Sequence, residues 1–191
     1  MLKKEIFKKK KIITQIIIIG CFIWMIILEA LPNRMTYSIK EQGDNMYFLS
    51  VSDNQGKIIY ENQYYAGPIV SKVGKNTIKI ISGLGDGRQY RFINGKTGRI
   101  SNYFEGVCGC NEKLVVYATY NEGAIKIIIE DIYQDEVYKE IIDDFIPTAI
   151  PSFAIKDVQI INNHLVYLRY YVGDSAIWRE REEKGRLVFV K

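Results

Sequence analysis

From Tyr37 onward the chain alternates short segments of β-branched and aromatic residues with clusters of Gly, Asn and Asp. This alternation is typical of consecutive antiparallel strands. The pattern predicts eight strands most clearly, at 47–52, 57–61, 77–82, 89–93, 113–120, 124–130, 164–171 and 186–190. Turn sequences separate them, namely SDNQG at 52–56, GLGDG at 83–87, NGKTG at 94–98, NEG at 121–123 and VGD at 172–174.

One segment of this region has a different period. In DEVYKEIIDDF, residues 135–145, the apolar side chains of Val137, Ile141, Ile142 and Phe145 have the spacing of one helix face. The spacing predicts a helix there. With only seven Ala in the chain and no long 3.6-residue period elsewhere after the N-terminal region, the rest of this part is predicted to be all-β.

Three stretches of the β region share one order of elements. Each begins with a strand (77–80, 113–116 and 164–167), passes through a Gly or Asp turn, and continues into a second strand (YRFI, IKIII or IWRE). The phrases Gly98-Arg99-Ile100 and Gly185-Arg186-Leu187 follow the first and last copies, and Gly56-Lys57-Ile58 is an earlier copy of them. The first strands start 36 and then 51 residues apart, and the acidic insert 131–157 accounts for the longer interval.

The phrase RQYRFINGKTGRI resembles a blade of bacterial β-propellers, in which a strand runs into an x-x-T-G-K/R turn and out again. The resemblance covers three or four units between about Tyr37 and Val190, enough chain for four blades at most. It implies an antiparallel meander of hairpin units, as in a small or partial propeller. It implies no catalytic residues, because propellers host unrelated functions. A β-sandwich or half-open meander also fits these hairpins.

The N-terminal region has the pattern of a membrane-targeting sequence. MLKKEIFKKKK at 1–11 precedes the apolar run IITQIIIIGCFIWMIIL at 12–28, which as a helix would extend roughly 25 Å. Lysines before the run and few charges after it predict a cytoplasmic N-terminus. We therefore expect a single-pass protein of the cell membrane, with a basic cytoplasmic tail at 1–11, a transmembrane signal anchor at 12–31, a linker at 32–36 and an extracytoplasmic domain at 37–191.

Two processing events are alternatives to a retained anchor. Leu28-Glu29-Ala30 is a weak signal-peptidase site, because Leu rather than a small residue occupies the −3 position. The sequence Ile18-Ile19-Gly20-Cys21 resembles the lipobox of bacterial lipoproteins, which implies possible lipidation of Cys21. The apolar FIWMIIL that follows departs from the lipoprotein pattern, where a polar tether is expected. Retention as a signal anchor is the interpretation we favour.

The location of the charge excludes a nucleic-acid-binding domain. The chain carries 26 Lys and Arg against 22 Asp and Glu, a net charge of +4. Six Lys and two acids lie in residues 1–31, which leaves 20 residues of each sign in the rest of the chain. The basic excess therefore belongs to the predicted topological signal, and the exported domain is neutral.

The pair Cys108-Gly109-Cys110 is the most unusual local feature. The two thiols could be incidental, close a tight disulfide, or act as a redox switch. They could also supply two metal ligands, but His164 is the only His in the chain and carboxylates complete a zinc site poorly, so we expect no metal. Three Cys in total exclude a disulfide scaffold.

The other motifs have simpler interpretations. Gly95-Lys96-Thr97 lacks the glycine that a phosphate loop needs at position 90, which is Tyr, and a strand follows it. The GLGDG at 83–87 has no dinucleotide-binding spacing, so both are predicted to be turns and no cofactor is expected. His164 stands where a turn meets a strand, and we expect it to be solvated rather than catalytic.

Charged and aromatic residues supply the remaining candidates. The acidic doublets Glu130-Asp131, Asp135-Glu136 and Asp143-Asp144 could bind calcium or supply catalytic carboxylates, but the chain has no D-x-D-x-D-G loop. Residues 112–157 have a net charge of −6 and residues 72–99 of +6, and these charges are expected to face solvent, each other or a partner. The doublets Tyr64-Tyr65 and Tyr170-Tyr171 should each place one ring inward and one outward.

These observations favour a membrane-anchored extracytoplasmic β-domain that acts as a binding, sensory or accessory module, with an envelope protein as its partner. No set of acid, base and nucleophile converges in the sequence, so no catalytic residues are predicted. Two alternatives stay open. One is an exported enzyme or thiol-redox protein that uses Cys108 and Cys110 or the acidic doublets, and the other is a structural envelope protein.

Overall fold

Strands that follow one another in the chain pair in four antiparallel sheets. The computed structural model describes residues 35–83, 87–173 and 181–190. Sheet 1 contains β1 (Thr36–Gly43), β2 (Met46–Ser52) and β3 (Ile58–Tyr64), and sheet 2 contains β4 (Ile69–Val73), β5 (Thr77–Ser82), β6 (Gln89–Asn94) and β7 (Phe104–Glu105). Sheet 3 contains β8 (Val107–Cys110), β9 (Leu114–Asn121), β10 (Ala124–Asp131) and β11 (Val137–Ile142). After a 3-10 helix (Pro151–Ala154), sheet 4 contains β12 (Ile155–Asn162), β13 (Leu165–Val172) and β14 (Glu182–Phe189).

The predicted all-β class of hairpin units is confirmed. Every sheet is a meander of consecutive strands, in the order expected for propeller-like blades. The sequence repeat corresponds to equivalent strands, since its first strand is β5, β9 or β13 and its second is β6 or β10 in the first two copies. In the third copy the partner of β13 is β14, and the phrase Gly185-Arg186-Leu187 lies inside that strand rather than after it. The IWRE segment at 177–180 lies outside the described residues.

The predicted helix at 135–145 is wrong, because this segment contains the strand β11. Ile141 pairs with Ile127 of β10 and is buried, whereas Ile142 is 65% exposed. The spacing of four residues that suggested a helix face also fits an extended chain, because every second side chain of an extended chain points to the same side. Ile141 and Phe145 are both buried, whereas Val137 is 47% exposed. Pairing with β10 satisfies backbone groups that would otherwise form an open sheet edge.

Among residues 35–83, 87–173 and 181–190, the hydrophobic core consists of three clusters, each between neighbouring sheets. One joins Leu49 and Val51 of sheet 1 to Ile78 and Ile80 of sheet 2. A smaller aromatic cluster around Phe92 and Phe104 connects sheets 2 and 3. The largest packs the isoleucines of β10 against β13, and it includes Val166, Leu168, Tyr170 and Val172. A β-sandwich has one core between two sheets, whereas these four sheets pack in series.

The hairpin turns lie at two opposite ends of this series. At one end, which we call the linked end, the β4–β5, β8–β9 and β12–β13 turns are joined by hydrogen bonds between sheets. The Glu112 carboxylate accepts from the backbone N–H of Lys75 (2.5 Å) and of Asn76 (2.6 Å), and the Asn111 amide donates to Asn163 Oδ1 (3.0 Å). The buried Met35 packs on Gly95 at the same end. The C-terminal ends of β5, β9 and β13 lie at the other end.

Candidate functional site

Three grooves open at the end opposite the linked end, and we call it the groove end. Each lies where two successive sheets meet. The groove between sheets 1 and 2 has a volume of about 460 Å³, the one between sheets 2 and 3 about 320 Å³, and the one between sheets 3 and 4 about 610 Å³. Strand ends and loops line these openings together, and core residues such as Tyr64, Ile125 and Phe145 form part of their floors. The arrangement repeats at each sheet boundary.

The groove between sheets 1 and 2 is lined by tyrosines and amides. The tyrosines are Tyr64, Tyr65 and Tyr103, and the amides are Asn62, Gln63 and Gln89. Tyr64 and Tyr65 follow the sequence prediction for adjacent strand positions, since Tyr64 is 8% exposed and Tyr65 is 85% exposed. Burial, together with the hydrogen bond between the Tyr60 and Tyr64 hydroxyls (2.7 Å), raises the pKa of Tyr64.

The groove between sheets 3 and 4 is acidic. Asp143, Asp144, Phe145 and Tyr120 line it, together with the segment 147–149. Asp143 Oδ2 accepts a hydrogen bond from the Tyr170 hydroxyl (2.6 Å), and its other oxygen lies 3.8 Å from the Lys184 ammonium. The hydrogen bond from Tyr170 is the main cause that holds the pKa of Asp143 below its usual range.

The 3-10 helix forms one side of the groove between sheets 2 and 3. Ile150, Ser152 and Phe153 form one wall, and Arg88 and Tyr90 lie on the opposite side. Phe153 is 54% exposed. The continuous segment 147–153 therefore lines two neighbouring grooves, which makes it the largest single contribution of any loop to the groove end.

The acidic doublets do not converge on one site. Tyrosine hydroxyls donate to one carboxylate in each of three places, from Tyr117 to Glu130 (2.7 Å), from Tyr138 to Asp131 (3.0 Å) and from Tyr170 to Asp143 (2.6 Å). Asp135 accepts from the Asn102 amide (2.7 Å). Glu130 and Asp131 are both buried and stand at adjacent positions of β10, so they point to opposite sides of sheet 3. Their geometry is that of carboxylates that stabilise the fold.

Cys108 and Cys110 lie on the short strand β8 as free, half-buried thiols. Burial raises the pKa of the Cys108 thiol to about 12 and also raises that of Cys110, which nearby Lys79 partly offsets. The Cys108 thiol donates to the carbonyl of Gly106 (3.2 Å). At neutral pH both groups are protonated and weakly nucleophilic. The predicted disulfide between them stays a prediction.

The glycine between these cysteines has a packing role that the sequence did not reveal. A Cβ atom at Gly109 would lie 2.6 Å from Cγ1 of Val158 on β12. The strands β8 and β12 therefore approach more closely than a side chain at position 109 allows. This close contact explains why position 109 is a glycine, and a strained disulfide between Cys108 and Cys110 is not needed to explain it.

Gly95-Lys96-Thr97 and His164 lie in turns, as expected, whereas residues 84–86 of the predicted GLGDG turn lie outside the described residues. Asn94 closes the turn that contains Gly95-Lys96-Thr97, since its side-chain oxygen accepts from the backbone N–H of Lys96 and of Thr97 (both 3.0 Å). His164 is exposed in the β12–β13 turn, where its backbone N–H donates to the Asn162 side chain (2.8 Å). Within 35–83, 87–173 and 181–190, no group of three or more His, Cys, Asp or Glu is placed to hold a metal ion.

The sequence did not identify the grooves or the residues that line them. Asn62, Gln63 and Gln89 belong to no motif, and Phe153 lies in the region that was read as an acidic insert. The Tyr64-Tyr65 doublet indicated that an aromatic ring would be exposed there. It did not indicate which loop lies beside that ring. That information comes from how the sheets pack.

The N-terminal predictions lie outside the described residues. They are the basic tail at 1–11, the anchor at 12–31 and the lipidation candidate Cys21. In the part of the chain that the structure describes, no helix has the length and apolar character needed to cross a membrane.

Comparisons with known proteins identify no family. No protein-family model matches the chain, and no curated protein matches it. Among solved structures, the chain is similar to the crystal structure of the N-terminal domain of Nup159, with 10% sequence identity and a TM-score of 0.36. That similarity covers 80% of this chain and 44% of the other. A likeness at this level carries no argument about function.

Proposed function

We propose that the protein is a membrane-anchored extracytoplasmic module that binds an envelope partner through its groove end and performs no chemistry itself. The observation that carries the proposal is the placement of three grooves, one at each sheet boundary, at the same end of the four sheets, each with an exposed aromatic ring. Exposed aromatic side chains lie in all three, with Tyr65 in the first, Phe153 in the second and Tyr120 in the third. The linked end also has a groove of about 460 Å³ beside Glu112, but no aromatic side chain of the described residues lines it. Exposed aromatic side chains beside concave surfaces are common in recognition sites.

The chemistry of the titratable groups supports binding rather than catalysis. A general acid or nucleophile must be free to meet a substrate, with a pKa near the working pH. In the described residues the carboxylates of Glu130, Asp131 and Asp143 are not free in this way, because each accepts a hydrogen bond from a tyrosine hydroxyl. The thiol of Cys108 has its pKa raised away from neutrality.

The anchor belongs to the same proposal and rests on the sequence. Six lysines before the apolar run at 12–28 favour an N-terminus in the cytoplasm and a domain outside. Protease added to intact cells should then digest residues 37–191 and spare the N-terminal tail. Full protection of the domain would overturn this orientation.

Site-specific crosslinking in the host cell tests the binding proposal. A photo-crosslinking amino acid is placed at Tyr65, Tyr120 or Phe153 of the groove end, and at Lys57 or Lys96 of the linked end as matched exposed controls. We expect one envelope protein to be recovered in stoichiometric amounts from the groove positions and not from the controls. Equal recovery from both ends, or none from the groove end, would contradict the proposal.

A further inference from the structure

The groove between sheets 1 and 2 differs from its two neighbours in charge. Its described lining residues carry no charged side chain, and their polar groups are amides and hydroxyls. By contrast, Asp143 and Asp144 line the groove between sheets 3 and 4, and Arg88 lines the groove between sheets 2 and 3. Two charged neighbours are already engaged by lining residues, Glu105 by the Gln89 amide (3.1 Å) and Arg91 by the Tyr103 hydroxyl (3.1 Å). The described lining therefore offers a ligand hydrogen-bonding groups rather than ionic partners.

Two of its three rings are fixed in place. The guanidinium of Arg91 lies 4.1 Å from the ring centroid of Tyr103, and its Nη1 donates to the Tyr103 hydroxyl (3.1 Å). The Tyr64 hydroxyl forms a hydrogen bond with the Tyr60 hydroxyl (2.7 Å). Rings that are already ordered lose little conformational entropy when a ligand packs against them.

The third ring is left in solvent. Tyr65 is 85% exposed, the most exposed of the large apolar and aromatic side chains in the described residues. It directly follows β3, at the point where the chain crosses from sheet 1 to sheet 2. A ligand in the groove would cover this ring and recover the free energy of burying its apolar face.

We propose that this groove binds an uncharged saccharide. The C–H face of a sugar ring is apolar and packs on the face of an aromatic ring, whereas its hydroxyls both donate and accept hydrogen bonds. A primary amide offers two donors and a carbonyl acceptor. One donor of Gln63 is used by Gln42 (3.3 Å) and one of Gln89 by Glu105 (3.1 Å). Their second donors and carbonyls, together with Asn62, can match hydroxyls at several positions. A charged ligand would lose its hydration here without an ionic partner.

This inference rests on the proposed function only in taking the groove end as the binding surface. It names a ligand class for one groove and does not require a protein partner. Loss of saccharide binding and loss of crosslinking to an envelope protein are therefore separate results.

Isothermal titration calorimetry on the full chain in lipid nanodiscs tests the proposal. Sugar-based detergents and glycolipids are omitted, since their head groups would compete. The probes are cellotetraose, maltotetraose and chitotetraose, which are neutral and differ in linkage and substituents. Tyr65→Ala is the test variant, and Phe189→Ala is the matched control, since Phe189 is an exposed aromatic residue (78%) that lines none of the three grooves.

We expect at least one probe to bind with unit stoichiometry. Tyr65→Ala should weaken that binding about tenfold, as expected for the loss of one stacking ring. Gln63→Ala should weaken it less, and Phe189→Ala should leave it unchanged. Absence of binding for all three probes would overturn the proposal. So would binding that resists Tyr65→Ala or that depends on Phe189, with thermal unfolding used to confirm that each variant is folded.

Discussion

Tyrosine hydroxyls hold the carboxylates of sheets 3 and 4 in fixed positions. The donors Tyr117, Tyr138 and Tyr170 each reach an acid from a different strand. A hydroxyl–carboxylate bond is charge-assisted and stronger than a bond between neutral groups. The many tyrosines of this chain thus act partly as donors that allow acidic residues to lie inside or beside the core.

The Tyr170–Asp143 bond predicts a dependence of stability on pH. Because the pKa of Asp143 is lowered in the folded state, its carboxylate stabilises the fold at neutral pH. This contribution is lost as the pH falls below about 4, through the folded pKa. We expect Asp143→Asn to lower the free energy of unfolding at pH 7 by about 1–2 kcal/mol.

Urea denaturation between pH 7 and pH 3 measures the effect. The difference between wild type and Asp143→Asn should shrink at the acid end, and Tyr170→Phe should reproduce it, since that variant removes the same bond from the donor. A difference that is constant across this range would contradict the stabilising role of the ionised Asp143 carboxylate.

The buried thiols predict slow alkylation. With its pKa raised to about 12, the Cys108 thiol should react with N-ethylmaleimide at pH 8 about a thousandfold more slowly in the native protein than in urea. Cys110 should be slowed less, because Lys79 partly offsets the effect of burial. Mass spectrometry in a Cys21→Ser background follows both sites. Alkylation rates that are equal in the native and unfolded protein would favour the thiol-redox alternative.

At the scale of elements, the close approach of β8 and β12 joins sheet 3 to sheet 4. Gly109 provides the space, and Val158 fills it. The sequence drew attention to the two cysteines on either side, whereas the residue that the packing requires is the glycine between them. No local pattern marks such a contact, because the two residues are far apart in the chain.

This contact predicts a compensating pair of substitutions. Gly109→Ala should destabilise the protein by about 1–3 kcal/mol, because its methyl group overlaps the Val158 side chain. Val158→Ala removes Cγ1, the atom with the greatest overlap, and leaves only Cβ at 2.9 Å, so the double variant should be more stable than Gly109→Ala alone. Chemical denaturation of the three variants gives the coupling energy. Strict additivity would contradict the proposed contact.

The strands that could be predicted are those with a strong pattern of their own. Thr77–Ser82 was predicted with its exact bounds because it alternates β-branched residues between two turns. The edge strand β1 is exposed at all eight positions and shows no contrast between buried and exposed faces. The strand β11 carries a spacing that also fits a helix, and only its pairing with β10 decides between them.

At the scale of the whole molecule, side chains of the linked end connect the sheets. Glu112 of the β8–β9 turn accepts from two backbone N–H groups of the β4–β5 turn, and its neighbour Asn111 donates to the β12–β13 turn. Sheets 2, 3 and 4 are thus coupled by polar contacts in addition to their cores. The sequence shows Glu112 only as one acid among many.

This coupling predicts an effect that crosses from one sheet to another. Glu112→Ala should lower the free energy of unfolding by about 1–3 kcal/mol, since it leaves two backbone donors without their acceptor. Hydrogen exchange should speed up at the amides of Lys75 and Asn76, in sheet 2. Glu41→Ala, an exposed glutamate on β1, is the control and should change neither quantity. Unchanged exchange at both amides would contradict the coupling.

The order of the sheets also has a consequence for how the chain can be made. Each sheet is completed by consecutive strands before the next one begins, so a polypeptide whose strands emerge in chain order, from a ribosome or from a channel, can close each sheet as it emerges. Local pairing of this kind keeps loop-closure costs low and limits the time that unpaired strands are exposed. Assembly then proceeds by adding one meander to the last, without waiting for the C-terminal residues.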